Sequence, residues 1–197
     1  YIYDHVLHFY HLTALDYLDI MAVASYKGKD KDLLAVKDKV VGLVQSKDTF
    51  PLTPRYKPDE WCVKDPEMVI SAVKHYIDAL SMQAKARNMG AIFGGRQPHY
   101  QSLVVGGCTQ YPDVNMVAKF RTMLDEQAKF INEVYIPDVL AFGTGPLFPL
   151  AEMGLGGGHS NYMAYGALEL DEHGKDQVFP GGVIMGMDPN AIKVEAF

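Results

Sequence analysis

The chain has 197 residues, of which 48% are hydrophobic and 21% charged, a composition that excludes disorder and is long enough for a sizeable core. Its formal net charge of −6 leaves no electrostatic footprint for nucleic acid or an anionic membrane surface. No apolar run reaches the roughly 20 residues of a bilayer-spanning helix, and Cys62 and Cys108, far apart and in no metal-type spacing, are expected to be buried or semi-buried free thiols.

The first predicted element is a helix over residues 1–26, ending before Lys27-Gly28. It opens YIYDHVLHFYHL. On a regular helix Asp4, His8, His11 and Leu15 fall at i, i+4, i+7 and i+11 on one face. The rest of the circumference is nearly all apolar, so the helix is expected to be buried all round. Burying that many titratable groups is costly unless they are paired or used. A short charged helix follows over residues 31–45, and the mixed-sign run from Lys27 to Lys39 reads as a solvated face. Residues 46–66 read as irregular, with four prolines and the only Trp. Asp65-Pro66-Glu67 is a helix start, with Asp as cap and Pro at the first helical position. That helix is expected over residues 66–88, with Ile70, Val73, Ile77, Leu80 and Ala84 inward. Residues 90–107 form a glycine-punctuated loop holding a short strand, 102–105. A long helix is expected over 113–134, with Pro137 opening a continuation, and residues 143–160 as a long loop. Strand alternation returns at 162–170 and 178–187, joined by the turn-prone Asp171-Glu172-His173-Gly174, and Ile192-Lys193-Val194 reads as a further strand. The fold class is therefore α+β, predominantly helical, with long packed helices and a small β element near the C-terminus.

Three constellations carry candidate chemistry. The spacing of Asp4, His8 and His11 suits metal ligation from one helix face. Yet the chain has no Glu-x-x-His, as a bundle dimetal site requires, and no His-Glu-x-x-His. That argues against a self-contained metal site. It leaves a polar seam between helices, or one half of a site whose other half lies outside the chain. The second constellation is FGGRQPHYQSLVVGGCT, residues 93–109, in which Arg96 and His99 flank Pro98 among glycines that permit close backbone approach. The third, GLGGGHSNYMAY, residues 154–165, is not a phosphate loop and reads as a flexible entry to a hairpin. There is no G-x-S-x-G elbow. His75 reads as a boundary residue of an amphipathic helix, and His173 as exposed in a turn.

At these residues a family resemblance appears. YDHVLHFYHLTALDYLD closely resembles a helix of the large, catalytic subunit of nickel–iron hydrogenases. AKARNMGAIFGGRQPHYQSLVVGGCT resembles that family's GKxPH…VGG(V/C)T region. FINEVYIPDVLAFG and NYMAYG match in order, so the resemblance covers essentially the whole chain. It implies a subunit holding a nickel–iron centre, with carbon monoxide and cyanide on iron, that interconverts dihydrogen with protons and electrons. A small subunit would carry the iron–sulfur clusters. The family's nickel is held by two CxxC pairs, one before the Asp/His helix and one at the extreme C-terminus. Neither is in this chain, and Cys62 and Cys108 do not match them.

The resemblance thus implies that residues 1–197 form a single segment of a large-subunit domain, incomplete at both ends, with no metal ligand of its own. A start at Tyr inside an apolar helical pattern fits that expectation. Asp4 matches the family's aspartate near the metal, which positions an arginine. His8 and His11 match the helix's histidines as packing partners. His99 matches the histidine that faces the small subunit near its closest cluster, and Arg96 belongs to the same interface. Gly106-Gly107-Cys108-Thr109 resembles the membrane-bound uptake type more than the soluble type. Implied partners are the small subunit and the remainder of the large subunit, with a membrane cytochrome as a further candidate. The implied location is the periplasmic face, membrane-associated through the partner, with a cytoplasmic one as the alternative. Two other readings share features of the sequence: a non-redox relative such as a complex I quinone-site subunit, and a metal-free structural module. The intact Asp/His and GGRQPHY segments favour the hydrogenase, because loss of the metal releases both.

Overall fold

The structure is a computed structural model and describes residues 1–47, 49–52, 61–154 and 157–186. It divides into two compact units, Tyr1–Phe148 and Pro149–Phe197. The described residues are α+β and mainly helical, with short antiparallel strands.

The first unit is organised by its longest helix, α3 (Pro66–Gly94). Asp65 caps it by accepting from the Glu67 and Met68 amides, with Pro66 in the first turn, as the sequence predicts. Two apolar clusters lie along it. At its start, Val69, Ile70 and Val73 pack with Leu18, Ile20, Val23, Tyr26 and Val63, and with Val36 and Val40 of α2 (Lys31–Ser46). Further along, Tyr76 and Ala79 pack with Val6, Tyr10 and Phe130. Each fully buried Val or Ile contributes about 1.5–3 kcal/mol relative to exposure. The predicted inward set is only partly right. Ile77, Leu80 and Ala84 are exposed, because α3 has partners on two sides and its inner face turns between them. The helix also continues six residues beyond the expected end at Asn88.

The first predicted helix differs most from expectation. It is not one regular helix to Tyr26. Helix α1 (Ile2–Val6) passes into a π-helical turn, Leu7–Thr13, and a 3₁₀ turn, Ala14–Asp16. A single parallel bridge then pairs Leu18 with Val63, and a second 3₁₀ segment runs Ile20–Ser25. Nor is it buried all round. In the first sixteen residues only Val6 and Tyr10 are buried, while Asp4, His5, His8, Leu12 and Thr13 are exposed. Helix α3 and the segment after α4 cover one side, and nothing within the described residues covers the opposite one.

Helix α2 forms as predicted, with Asp30 capping and most of its charged face in water. After α3 a hairpin pairs β1 (Leu103–Val104), within the predicted strand 102–105, with β2 (Gly107–Cys108), which was not expected. Asp113 caps α4 (Val114–Phe130), which passes through a π turn, Ile131–Tyr135, into α5 (Ile136–Gly143) at Pro137. The expected long loop after residue 143 contains a short helix, α6 (Phe148–Glu152). Cys62 is buried, but Cys108 on the hairpin is exposed and not semi-buried as expected. Both are free.

In the second unit the two predicted strands are four: β3 (Tyr162–Ala164), β4 (Ala167–Glu169), β5 (Gln177–Phe179) and β6 (Gly182–Ile184). β3 pairs with β6 and β4 with β5, both antiparallel and in one common register. They are the two halves of one hairpin, interrupted where Tyr165-Gly166 runs opposite Pro180-Gly181. Gly166 has φ +93°, and a side chain there meets Gln177. Pro180 beside it has no amide for the ladder. The predicted turn is present. Asp171 accepts from the amides of His173, Lys175 and Asp176, which lowers its carboxyl below the ordinary value. His173 is exposed, as expected. The suggested strand at 192–194 lies outside the described residues, as do residues 53–60 of the proline-rich stretch.

Candidate functional site

The π turn decides what the Asp/His segment presents. A π helix bonds i to i+5 and is wider than an α-helix, so each residue advances the chain by a smaller rotation. Positions that share a face on a regular helix drift apart. Asp4 and His8 stay together: the His8 Nδ1–H donates to the Asp4 carbonyl at 2.8 Å and lies 3.4 Å from its carboxylate. Both side chains are largely exposed. The His8 carbonyl is met by the Thr13 hydroxyl, 2.7 Å away. Beyond the Asp4–His8 contact, the Asp4 carboxylate and the far ring nitrogen of His8 meet no hydrogen-bond partner among the described residues and stay exposed on the uncovered face.

His11 is carried off that face toward α3. Its Nε2–H donates to the Tyr76 carbonyl at 3.0 Å, and its Nδ1 accepts from the Gln83 amide. Its ring meets Tyr76 edge-on, centroids 4.4 Å apart. Burial lowers its pKa, and the smaller effect of the Tyr76 bond opposes this. His11 is therefore a neutral packing group with both nitrogens engaged. The expectation of one shared face for Asp4, His8 and His11 is corrected to an open Asp4–His8 pair and an inward His11.

Arg96 and His99 lie in the turn after α3, and both are exposed. His99 has φ +63°, uncommon for a residue with a side chain. The turn is shaped by Gly94, buried beneath the Tyr100 ring, and by the Gln101 amide bonded to the Gly94 carbonyl at 2.8 Å. No hydrogen bond or ion pair among the described residues joins Arg96 or His99 to Asp4, His8 or His11.

The structure also brings together a group that sequence reasoning missed. His75 is not merely a boundary residue: its Nδ1–H donates to Asp138 Oδ2 at 2.8 Å. The Tyr10 hydroxyl donates to the same oxygen at 2.7 Å. Burial, then the Asp138 carboxylate, pushes the Tyr10 hydroxyl far above its ordinary pKa. The partners are 63 and 128 residues apart in sequence, so no local spacing signals them.

These side chains do not fit direct ligation of a metal. No group of three or more His, Cys, Asp or Glu among the described residues is placed to hold one. His11 has no free nitrogen, and the two cysteines lie on different elements. No helix among the described residues is long and apolar enough to cross a membrane.

Comparison with known proteins gives the family of the chain. The family model for nickel-dependent hydrogenases matches residues 1–196. The chain belongs to that family. It is 31% identical over 191 residues to the periplasmic [NiFeSe] hydrogenase large subunit of Desulfomicrobium baculatum, covering 95% of this chain and 32% of that protein. It is 32% identical over 217 residues to the uptake hydrogenase large subunit of Cupriavidus necator, covering 93% and 34%. A solved structure of the Desulfomicrobium baculatum [NiFeSe] hydrogenase superposes with a TM-score of 0.74 at 28% identity, covering 99% of this chain and 35% of that one. The chain spans about a third of the length of the relatives it matches.

Proposed function

We propose that this chain is the central part of a hydrogenase large subunit, and that its open Asp4–His8 face borders the nickel–iron centre. The observation that carries the reading is local. Most polar groups of the first segment are satisfied within the chain, whereas the Asp4 carboxylate and the far nitrogen of His8 stand open on an uncovered face. A carboxylate so placed fixes the geometry of a guanidinium or a metal-bound group brought against it. It does not itself bind metal, because the donor set here is too small. In this reading the cysteine ligands come from polypeptide outside this chain, and carbon monoxide and cyanide complete the iron.

The reaction is the interconversion of dihydrogen with protons and electrons. A small subunit carrying iron–sulfur clusters takes the electrons, and Arg96 and His99 face it near its closest cluster. The exposure of both side chains and the left-handed backbone of His99 support that placement. A membrane cytochrome is a candidate acceptor. The periplasmic relative supports a periplasmic-face location, with a cytoplasmic one as the alternative.

The intact assembly tests this. Elemental analysis is expected to find nickel, and hydrogen-dependent dye reduction to show turnover. Asp4→Ala is expected to cut turnover while nickel stays bound. Complete loss of metal in that variant assigns Asp4 to ligation or assembly, and an intact assembly without nickel overturns the reading.

A further inference from the structure

Three segments distant in sequence converge on one carboxylate oxygen. Tyr10 lies on the π turn, His75 on α3 and Asp138 on α5, and both donors reach Asp138 Oδ2. The site is largely out of water: Tyr10 is 1% exposed, and the side chains of Asp138 and His75 are 13% and 23% exposed. Tyr10 is also the one buried residue of the π turn Leu7–Thr13. Such turns are rare and less regular than α-helix, and tertiary contacts hold them in place. Around the Tyr10 ring those contacts are Phe9, Phe130 and Tyr135. They limit where the ring lies but give its hydroxyl no direction. Asp138 supplies that direction. Because His8 is only two residues before Tyr10, whatever fixes Tyr10 also fixes the bearing of the Asp4–His8 pair.

We propose that Asp138 is a positioning residue that locks the π turn through Tyr10 and His75 and so sets the direction in which Asp4 and His8 face. The lock rests on geometry alone; its consequence for turnover rests on the hydrogenase reading above. Both bonds end on one oxygen, so a neutral amide can keep both, with its carbonyl in place of Oδ2. An apolar side chain keeps neither. Asp138 also borders a cavity of about 40 Å³, lined by Phe9, Tyr10, Ala14, Ala72 and Phe142 among others, which leaves room for a leucine.

The test uses the full-length polypeptide in complex with its partner, read by amide hydrogen exchange, nickel content and hydrogen-oxidation kinetics. Asp138→Leu is expected to speed exchange over residues 7–13 about tenfold or more while residues 69–73 stay protected. It is expected to lower kcat about tenfold with KM for dihydrogen and nickel content unchanged. Asp138→Asn is expected to return exchange and kcat to within about threefold of the parent. Tyr10→Phe, which removes one bond and keeps the ring, is expected to speed exchange over residues 7–13 about threefold, and it decides the matter if the leucine variant does not fold. Unchanged exchange over residues 7–13 in Asp138→Leu or in Tyr10→Phe overturns the proposal. So does an asparagine variant as impaired as the leucine one, which assigns the effect to charge. A parent protein with neither nickel nor turnover sinks the hydrogenase reading instead, and the exchange experiment still decides the lock.

Discussion

The guanidinium of Arg87 lies over the ring of Tyr3, its central carbon 4.1 Å from the ring centroid, and one of its nitrogens donates to the Tyr3 hydroxyl. Arg87 stands on the later part of α3 and Tyr3 on α1, directly before Asp4. The pair therefore ties the acidic end of the candidate site to the longest helix.

Both partners are half-buried, so the contact is expected to be worth more than a surface pair. Arg87→Ala should lower unfolding stability by about 1–2 kcal/mol in chemical denaturation. Arg87→Lys should recover less than half, because an ammonium neither stacks flat nor keeps the fork of donors. A lysine variant as stable as the parent would show that charge alone carries the contact.

His11 sets a pH dependence. Its folded pKa lies below the ordinary 6.5 because burial opposes the charged ring. The unfolded chain therefore binds more protons than the folded one as pH falls through 6.5. The stabilising effect of the neutral ring is present above that value and lost as pH drops through the folded pKa. His11→Gln keeps a donor for the Tyr76 carbonyl and an acceptor for Gln83 but does not titrate. Thermal melts across this range should show the parent losing more of its melting temperature than His11→Gln. Parallel curves for the two would remove His11 as the source.

Gly94 and Gly42 make a matched pair. A Cβ at Gly94 overlaps the Tyr100 ring, whereas one at Gly42 meets nothing within 4 Å. Gly94→Ala should destabilise by about 1–3 kcal/mol through overpacking. Gly42→Ala in α2 should stabilise by about 0.5–1 kcal/mol. Gly94→Ala should also change the environment of His99, whose turn rests on Tyr100, and histidine resonances in an NMR spectrum would report it.

Gln127 is fully buried, and its amide nitrogen donates to the Met82 carbonyl at 2.8 Å, but its Oε1 has no partner among the described residues. An orphaned buried acceptor costs about 1–3 kcal/mol, and the bond it accompanies returns about 1 kcal/mol. Gln127→Met, similar in length and helix propensity, should be as stable as the parent or more so. A clear loss of stability in denaturant titration would show that Oε1 is satisfied in the folded protein.

Much of the fold was legible because its signals are local. Asp65, read from the sequence as a cap, accepts backbone amides at its helix start, and Asp30 and Asp113 do the same at the two other long helices whose spans were expected. Pro137 opens α5, and Asp171 closes the β turn. The family was legible for a similar reason: YDHVLHFYHL and GGRQPHY are long ordered motifs that need no coordinates to read.

The site was legible only as a set of residue types. Asp4, His8 and His11 have the spacing of one helical face, but that spacing assumes a regular helix. A π turn does not announce itself in residue identity, since it is held by tertiary partners such as Asp138. The tertiary structure alone decided that His11 turns inward, that Asp4 and His8 stay open, and that Tyr10, His75 and Asp138 meet. Sequence determines what each short stretch can do through its own backbone and caps. Contacts across 63 and 128 residues are settled by packing, because only the folded core brings those side chains within reach of one oxygen.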